Sequence, residues 1–167
     1  MTSLRTRNLI AVATLIGGLL AGETIQRGVI DASAWRHVGV LCWAEYSRHA
    51  DLSRNGFIVY PFEAFSGMTL SVGAAISFRL SGKVPRSATF PIYAAALCTV
   101  GGLLITLKAA PIMLSVRHLG NDTVSLQHAF DAFGFWSRIR GVFQVVAYFA
   151  NLCSLVALVK PGNQVSQ

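Results

Sequence analysis

The chain has 167 residues, 53% of them hydrophobic and only 13% charged, with a mean hydropathy of +0.54. That balance excludes an ordinary soluble globular domain and points to one small integral membrane domain. The formal charge of +7 is spread among hydrophobic runs, with no dense basic patch and no interleaved aromatics, which excludes nucleic acid as a partner.

Residues 1–8 carry Arg5 and Arg7 and precede an apolar or small stretch over 9–22. A basic start and a short apolar core resemble a signal peptide; the reading adopted is a first membrane span over about residues 8–25. Gly18 and Gly22 give it a small-xxx-small spacing that suits close helix approach. Glu23 follows near its far end. Residues 26–56 then turn polar, with Arg27, Arg36, Arg48 and Arg54 against Asp31, Glu45 and Asp51. Within them, Ser33 is a plausible N-cap, and Trp35, Val38, Leu41 and Cys42 recur at helical spacing. These features predict a short amphipathic helix over residues 32–50, lying on the membrane surface or lidding the bundle. Trp35, Trp43 and Tyr46 suit an interface, where an apolar ring and a polar tip are both accommodated.

A second span is predicted over about 57–78, with Pro61 in its first turns, Glu63 just inside, and Gly67, Ser71, Gly73 and Ala74 as a small-residue face. Arg79, Lys83 and Arg86 crowd the short loop that follows. The third span, about 92–116, is long enough to cross ~30 Å of hydrocarbon. Lys108 lies roughly 24 Å along it from Ile92, at the second interface, and Gly101 and Gly102 would let a neighbour approach. A polar segment follows, with a turn at Gly120, Asn121 and Asp122 and a helix over 123–133. The fourth span, about 136–159, opens with Arg138 and Arg140 and holds Gln144 and Asn151 as interhelical donors. The fold class is therefore all-α: one domain over 1–167, an integral membrane four-helix bundle with an amphipathic helix in its first extramembrane connection.

Basic residues in short loops mark the cytoplasmic side. Arg5 and Arg7, then Arg79, Lys83 and Arg86, then Lys160 place both termini in the cytoplasm. All seven acids and all four histidines then fall on the other side or just inside it. Up-down threading brings Glu23, Glu63, Lys108, Arg138 and Arg140 to similar depth. A charge at the bilayer centre costs about 2.5–3.5 kcal/mol on insertion scales and less near the interface, so snorkelling could hold each one singly. Four spans each supplying a charge at one level favours the alternative, a shared polar site with at least three of these residues facing the interior.

Three pairs have helical spacing for a metal, Glu45 with His49, His118 with Asp122, and His128 with Asp131. None belongs to a recognised ligand motif, so no metal is assigned. No nucleophile elbow, phosphate-binding loop or intramembrane haem histidine is present. The three cysteines form no disulfide framework; Cys98 and Cys153 lie in apolar runs and act as small hydrophobes.

The segment TLKAAPIM over 106–113, Asn121-Asp122 in the next loop, and Trp136 through Arg140 opening the last span resemble the anthrone oxygenase-like family, small four-helix membrane proteins mostly of unknown function. In that family a proline followed closely by asparagine ends the third span, and a tryptophan and an arginine about four residues apart open the last. Trp136 and Arg140 fit; Met113 stands near the position of the asparagine, and the first connection is longer here. The resemblance implies cofactor-free oxygenation of a phenolic ring system, with Glu63 or His128 as base, Arg140 and Lys108 as stabilising cations and Trp136 as a pocket wall.

The reading that results is a polar small-molecule site at the extracytoplasmic end, drawing on Glu23, Glu63, Lys108, Asn121, His128, Trp136, Arg138 and Arg140, for a small aromatic or quinone-like ligand, without a cofactor. Its competitor is a non-catalytic accessory subunit of a larger membrane complex. Membrane lipid is a partner on either reading, and a homo-oligomer or larger complex is compatible with both.

Overall fold

A computed structural model describes residues 4–81 and 85–159. Among the described residues the chain is helical, with no strand. The elements in order are α1 (Leu4–Ile25), a π-helical segment (Gln26–Asp31), α2 (Ala32–Val38), α3 (Val40–His49), α4 (Arg54–Leu80), α5 (Arg86–Ser115) and α6 (Thr123–Val159).

Three stretches are long and apolar enough to cross a membrane: Leu4–Val38, Arg86–Ser115 and Thr123–Val159. Only 17% of the most apolar window of each is buried inside the protein, so most of their apolar surface faces outward. The partition by size agrees. Ala13, Ala21, Ala74, Ala88, Ala95, Ala109 and Ala147 are buried with Thr14, Ser71, Asn151 and Ser154, while Leu15, Leu19, Phe62, Phe90, Leu97 and Val142 are exposed. Small residues inside and large hydrocarbons outside is the arrangement expected where lipid, not water, is the solvent.

The long helices pack side by side, α5 on α6, α1 on α6, α1 on α4 and α4 on α5. The α5–α6 seam is tight because Gly101 and Gly102 meet the Phe143 side chain, where a Cβ on Gly101 would come within 2.8 Å of Cε1. On α1, Gly17 and Gly18 meet Tyr148, and Gly67 of α4 meets Ile16 and Leu20. Gly22, paired with Gly18 by spacing, has nothing within 4 Å. The end near the start of α1 is filled by Ile10, Phe78, Ala88 and Ile92, and there Thr6 and Ser77 hydroxyls bond at 2.7 Å.

Three boundaries differ from those expected. The first helix does not end at Ile25 but continues through the π-helical segment into α2. No proline interrupts it there. The stretch expected as a fourth span is the later part of one 37-residue helix, α6, because Gly134 does not break it and Asp122 caps its start, accepting from Val124 N at 3.1 Å. The single amphipathic helix is two, broken at Gly39, whose φ of 96° is open to glycine and strained for other residues. Its inward face is also different: Trp43, Ala44 and Ser47 are buried, while Val38 and Leu41 are exposed. Lys83 and the tail with Lys160, used to orient the chain, lie outside the described residues.

Candidate functional site

At the end where α1 runs into the π-helical segment, Arg27 is the hub. Its Nε pairs with Glu23 at 3.1 Å, and Nη2 donates to Asp51 Oδ1 and to the Tyr60 hydroxyl. The same hydroxyl donates to Asp51 Oδ1 at 3.1 Å, and the guanidinium carbon stands 5.0 Å from the Tyr60 ring centroid. π-helical turns are rare and concentrate at functional sites, and here one carries the central cation.

Asp51 reaches this cluster through a tight turn. Ser53 caps α4 by accepting from Gly56 N at 3.1 Å, and Gly56 lies so close to the carbonyl oxygens of Ala50 and Asp51 that a Cβ would collide with them. The turn buries Asp51 to 7% exposure. On α4, Tyr60 and Glu63 stand one turn apart, and Glu63 is close enough to Glu23 to feel its charge.

From α6, Arg140 lies within electrostatic reach of Arg27, Glu23, Asp51 and Tyr60. The adjacent Gly141 brings α6 against α1, since a Cβ there would run into Thr24. One turn further, the Thr24 hydroxyl donates to Gln144 Oε1. Asp51 Oδ2, Glu63 Oε2, Ser137 Oγ and Arg140 Nε are enclosed and have no hydrogen-bond partner among the described residues. Buried polar atoms are paired in about nine cases of ten, so four orphans on the turn before α4, on α4 and on α6 mark this end as chemically unsatisfied.

Below the charged layer is a cavity of about 40 Å³, lined from all four long helices by residues that include Gly17, Ala64, Gly67, Thr106, Gln144 and Asn151. Ala64 follows Glu63 and Gln144 is one turn from Arg140, but none of the charged residues lines this cavity. Its volume accommodates a few water molecules at ~10–15 Å³ each. An aromatic ring requires the helices to part.

Beside the cluster, a second hydrophobic core is packed from α3, α5 and α6. Trp43 is fully buried, meets Phe130 edge-on at 5.1 Å, and shares a core with Leu52, Met113, Val116 and Leu126. Arg48 donates to Val116 O and Gly120 O and Arg117 donates to Leu52 O, stapling α3 and its following turn to the α5–α6 connection.

Of the residues chosen from sequence, Glu23, Glu63 and Arg140 are gathered at one level, and Trp136, half-buried, stacks edge-on against Phe135 at 5.2 Å. Lys108, Asn121, His128 and Arg138 are exposed. Lys108 is two residues from cavity-lining Thr106, and Arg138 two from Arg140, which turns each to the opposite side of its helix; Arg138 bonds back to Gly134 O at 3.2 Å. Arg27, Asp51, Tyr60 and Ser137 were not foreseen. The i,i+4 spacing of Glu23 and Arg27 was a readable signal; the placement of Asp51 was not. No group of three or more potential metal ligands occurs among the described residues. Compared with known families, curated proteins and solved structures, the chain has no match.

Proposed function

We propose that this is a four-span integral membrane protein whose charged end binds a small, largely apolar molecule bearing an oxygen function. The fourth span is α4. It has 27 residues and exposes Ile58, Phe62, Phe65 and Ile76 while burying Ser71, Ala74 and Ala75, the same outward face as its neighbours. Arg5, Arg7, Arg79 and Arg86 at the opposite end favour a cytoplasmic location for that end, so the site opens on the extracytoplasmic side.

The observation that carries the ligand reading is the group of unpartnered atoms on Asp51, Glu63, Ser137 and Arg140. A carboxylate can take a proton from a phenol or an activated C–H, and a guanidinium can hold the resulting oxyanion. An electron-rich anion of that kind reacts with dioxygen without metal or flavin, the chemistry implied by the resemblance to the anthrone oxygenase-like family. Glu63 is the base in this reading and Arg140 the stabilising cation. Exposed His128 and Lys108 are left outside it.

The test is binding of simple phenols and naphthols to protein in nanodiscs, followed by the shift in thermal unfolding. Arg140→Ala should lower affinity at least about tenfold, ~1.4 kcal/mol, while helicity and cooperative melting persist. Unchanged affinity in a folded variant would place the ligand elsewhere and leave the charges as structural ion pairs.

A further inference from the structure

We infer that the end opposite the charged cluster holds an anionic phospholipid, with one acyl chain lying in a groove on α1 and its phosphate beside Arg5 and Asn8. The site is independent of the ligand site proposed above. The groove is lined by Leu4, Arg5, Asn8, Leu9 and Val12, which stand at i, i+1, i+4, i+5 and i+8 and so share one face of the helix. Arg5 and Asn8 lie toward the helix start, and Leu9 and Val12 follow. Val12 is roughly 10 Å deeper than Arg5 at about 1.5 Å per residue. One leaflet supplies about half of the ~30 Å hydrocarbon core, so the groove is long enough for the greater part of one chain. Leu4 and Val12 are 65% and 44% exposed, which leaves their apolar surface for the lipid to cover.

The sign of the headgroup follows from the charge around it. The Thr6–Ser77 bond brings the start of α1 to the end of α4, and Ile10, Phe78, Ala88 and Ile92 pack α1, α4 and α5 together just inside. Arg5 and Arg7 flank Thr6, Arg79 lies two residues after Ser77, Arg86 lies two before Ala88, and all four arginines are exposed. Every acid of the chain falls within residues 23–63 or at 122 and 131, so no Asp or Glu belongs to the segments that build this end. Residues 160–167 add Lys160 and no acidic side chain. A phosphodiester supplies the missing negative charge, and an anionic leaflet strengthens contact by about fivefold for each basic residue at its surface. The same arginines favour the cytoplasmic side for this end, the leaflet that carries anionic lipid. A zwitterionic lipid brings its own cation with its phosphate. A second copy of the chain beside this one in the same orientation would set arginines against arginines.

The experiment uses the full chain in non-ionic detergent, titrated with dioleoylphosphatidylglycerol, dioleoylphosphatidylcholine and dihexanoylphosphatidylglycerol, with bound lipid counted by native mass spectrometry. The first should bind at least about tenfold more tightly than either of the others, and its affinity should fall as salt rises. Arg5→Gln with Arg7→Gln should lower that affinity at least about tenfold, whereas Arg5→Lys with Arg7→Lys should keep it, both proteins being checked for native helicity. Asn8→Trp, which fills the groove from an exposed position, should also weaken it. Equal affinity for the glycerol and choline headgroups overturns the anionic assignment. Equal affinity for the six-carbon lipid overturns the groove. Binding left unchanged by the double glutamine variant or by Asn8→Trp overturns the site.

Discussion

Asn151 on α6 donates to Ser71 on α4 at 3.2 Å, with both residues buried, and the bond joins two helices that stand diagonally across the packing of α1, α4, α5 and α6. Because each of these helices packs mainly on its two neighbours, a diagonal bond fixes the register of the pair that shares least backbone contact. Interhelical bonds of this type average about 0.6 kcal/mol in membranes, rising to ~1.7. Ser71→Ala should therefore cost about 1 kcal/mol, since it also leaves the Asn151 amide unpaired. Ser71→Ala combined with Asn151→Leu should cost less than the sum of the single changes, measured by reversible unfolding in mixed micelles.

Arg27 holds two acids and a phenol, so its removal should be worse than the removal of either acid. Arg27→Met leaves Asp51, only 5% exposed at its side chain, charged and without its cation, a loss on the order of 3 kcal/mol. Asp51→Asn should cost less, because the amide oxygen still accepts from Arg27 and Tyr60. The double change Arg27→Met with Asp51→Leu should recover much of the loss, as buried pairs replaced by matched apolar residues do. The check is a double-mutant cycle of thermal unfolding in detergent. A cycle with no coupling would demote the pair to surface-like status.

The helices and their order were legible in the sequence because apolar run length and small-residue faces carry that information directly: residues 92–116 were expected and α5 is Arg86–Ser115. The ends were not. Asp122 and Ser53 cap α6 and α4 earlier than hydropathy suggests, since capping depends on single side chains and not on composition. Glu23, Glu63 and Arg140 could be brought together from depth alone. Depth does not give azimuth, which is why Lys108 and Arg138 were grouped with them and are exposed. Asp51 entered through a turn that needs Gly56, a three-dimensional constraint with no periodic trace.

Two glycines should separate contact from composition. A Cβ on Gly141 would run into Thr24, while one on Gly22 meets nothing within 4 Å. Gly141→Ala should push α6 from α1, cost about 1–3 kcal/mol by overpacking, and disturb the Thr24–Gln144 bond just below it. Gly22→Ala should stay within about 0.5 kcal/mol. Adding Thr24→Ser to Gly141→Ala removes the methyl that the new Cβ would strike and should restore much of the loss. Melting curves of the four proteins decide it.

The start of α6 offers a pH test outside the membrane. The Asp122 carboxylate is held below the ordinary aspartate value of 3.8 by the Ser125 hydroxyl first and the Val124 amide second. A depressed folded value means the charged form is the one the fold favours. Its contribution is therefore fully present above the ordinary value and is lost as pH falls through the folded one. Asp122→Asn keeps an acceptor for Val124 N and should hold the cap without that acid dependence, whereas Asp122→Ala should fray the first turn at every pH. Amide exchange of Val124 and Ser125, followed from about pH 6 to about pH 3, reads both effects: protection in the native chain should fall at the acid end, stay level in Asp122→Asn, and be weak throughout in Asp122→Ala. Equal acid dependence in the native chain and Asp122→Asn would assign the titration to another group.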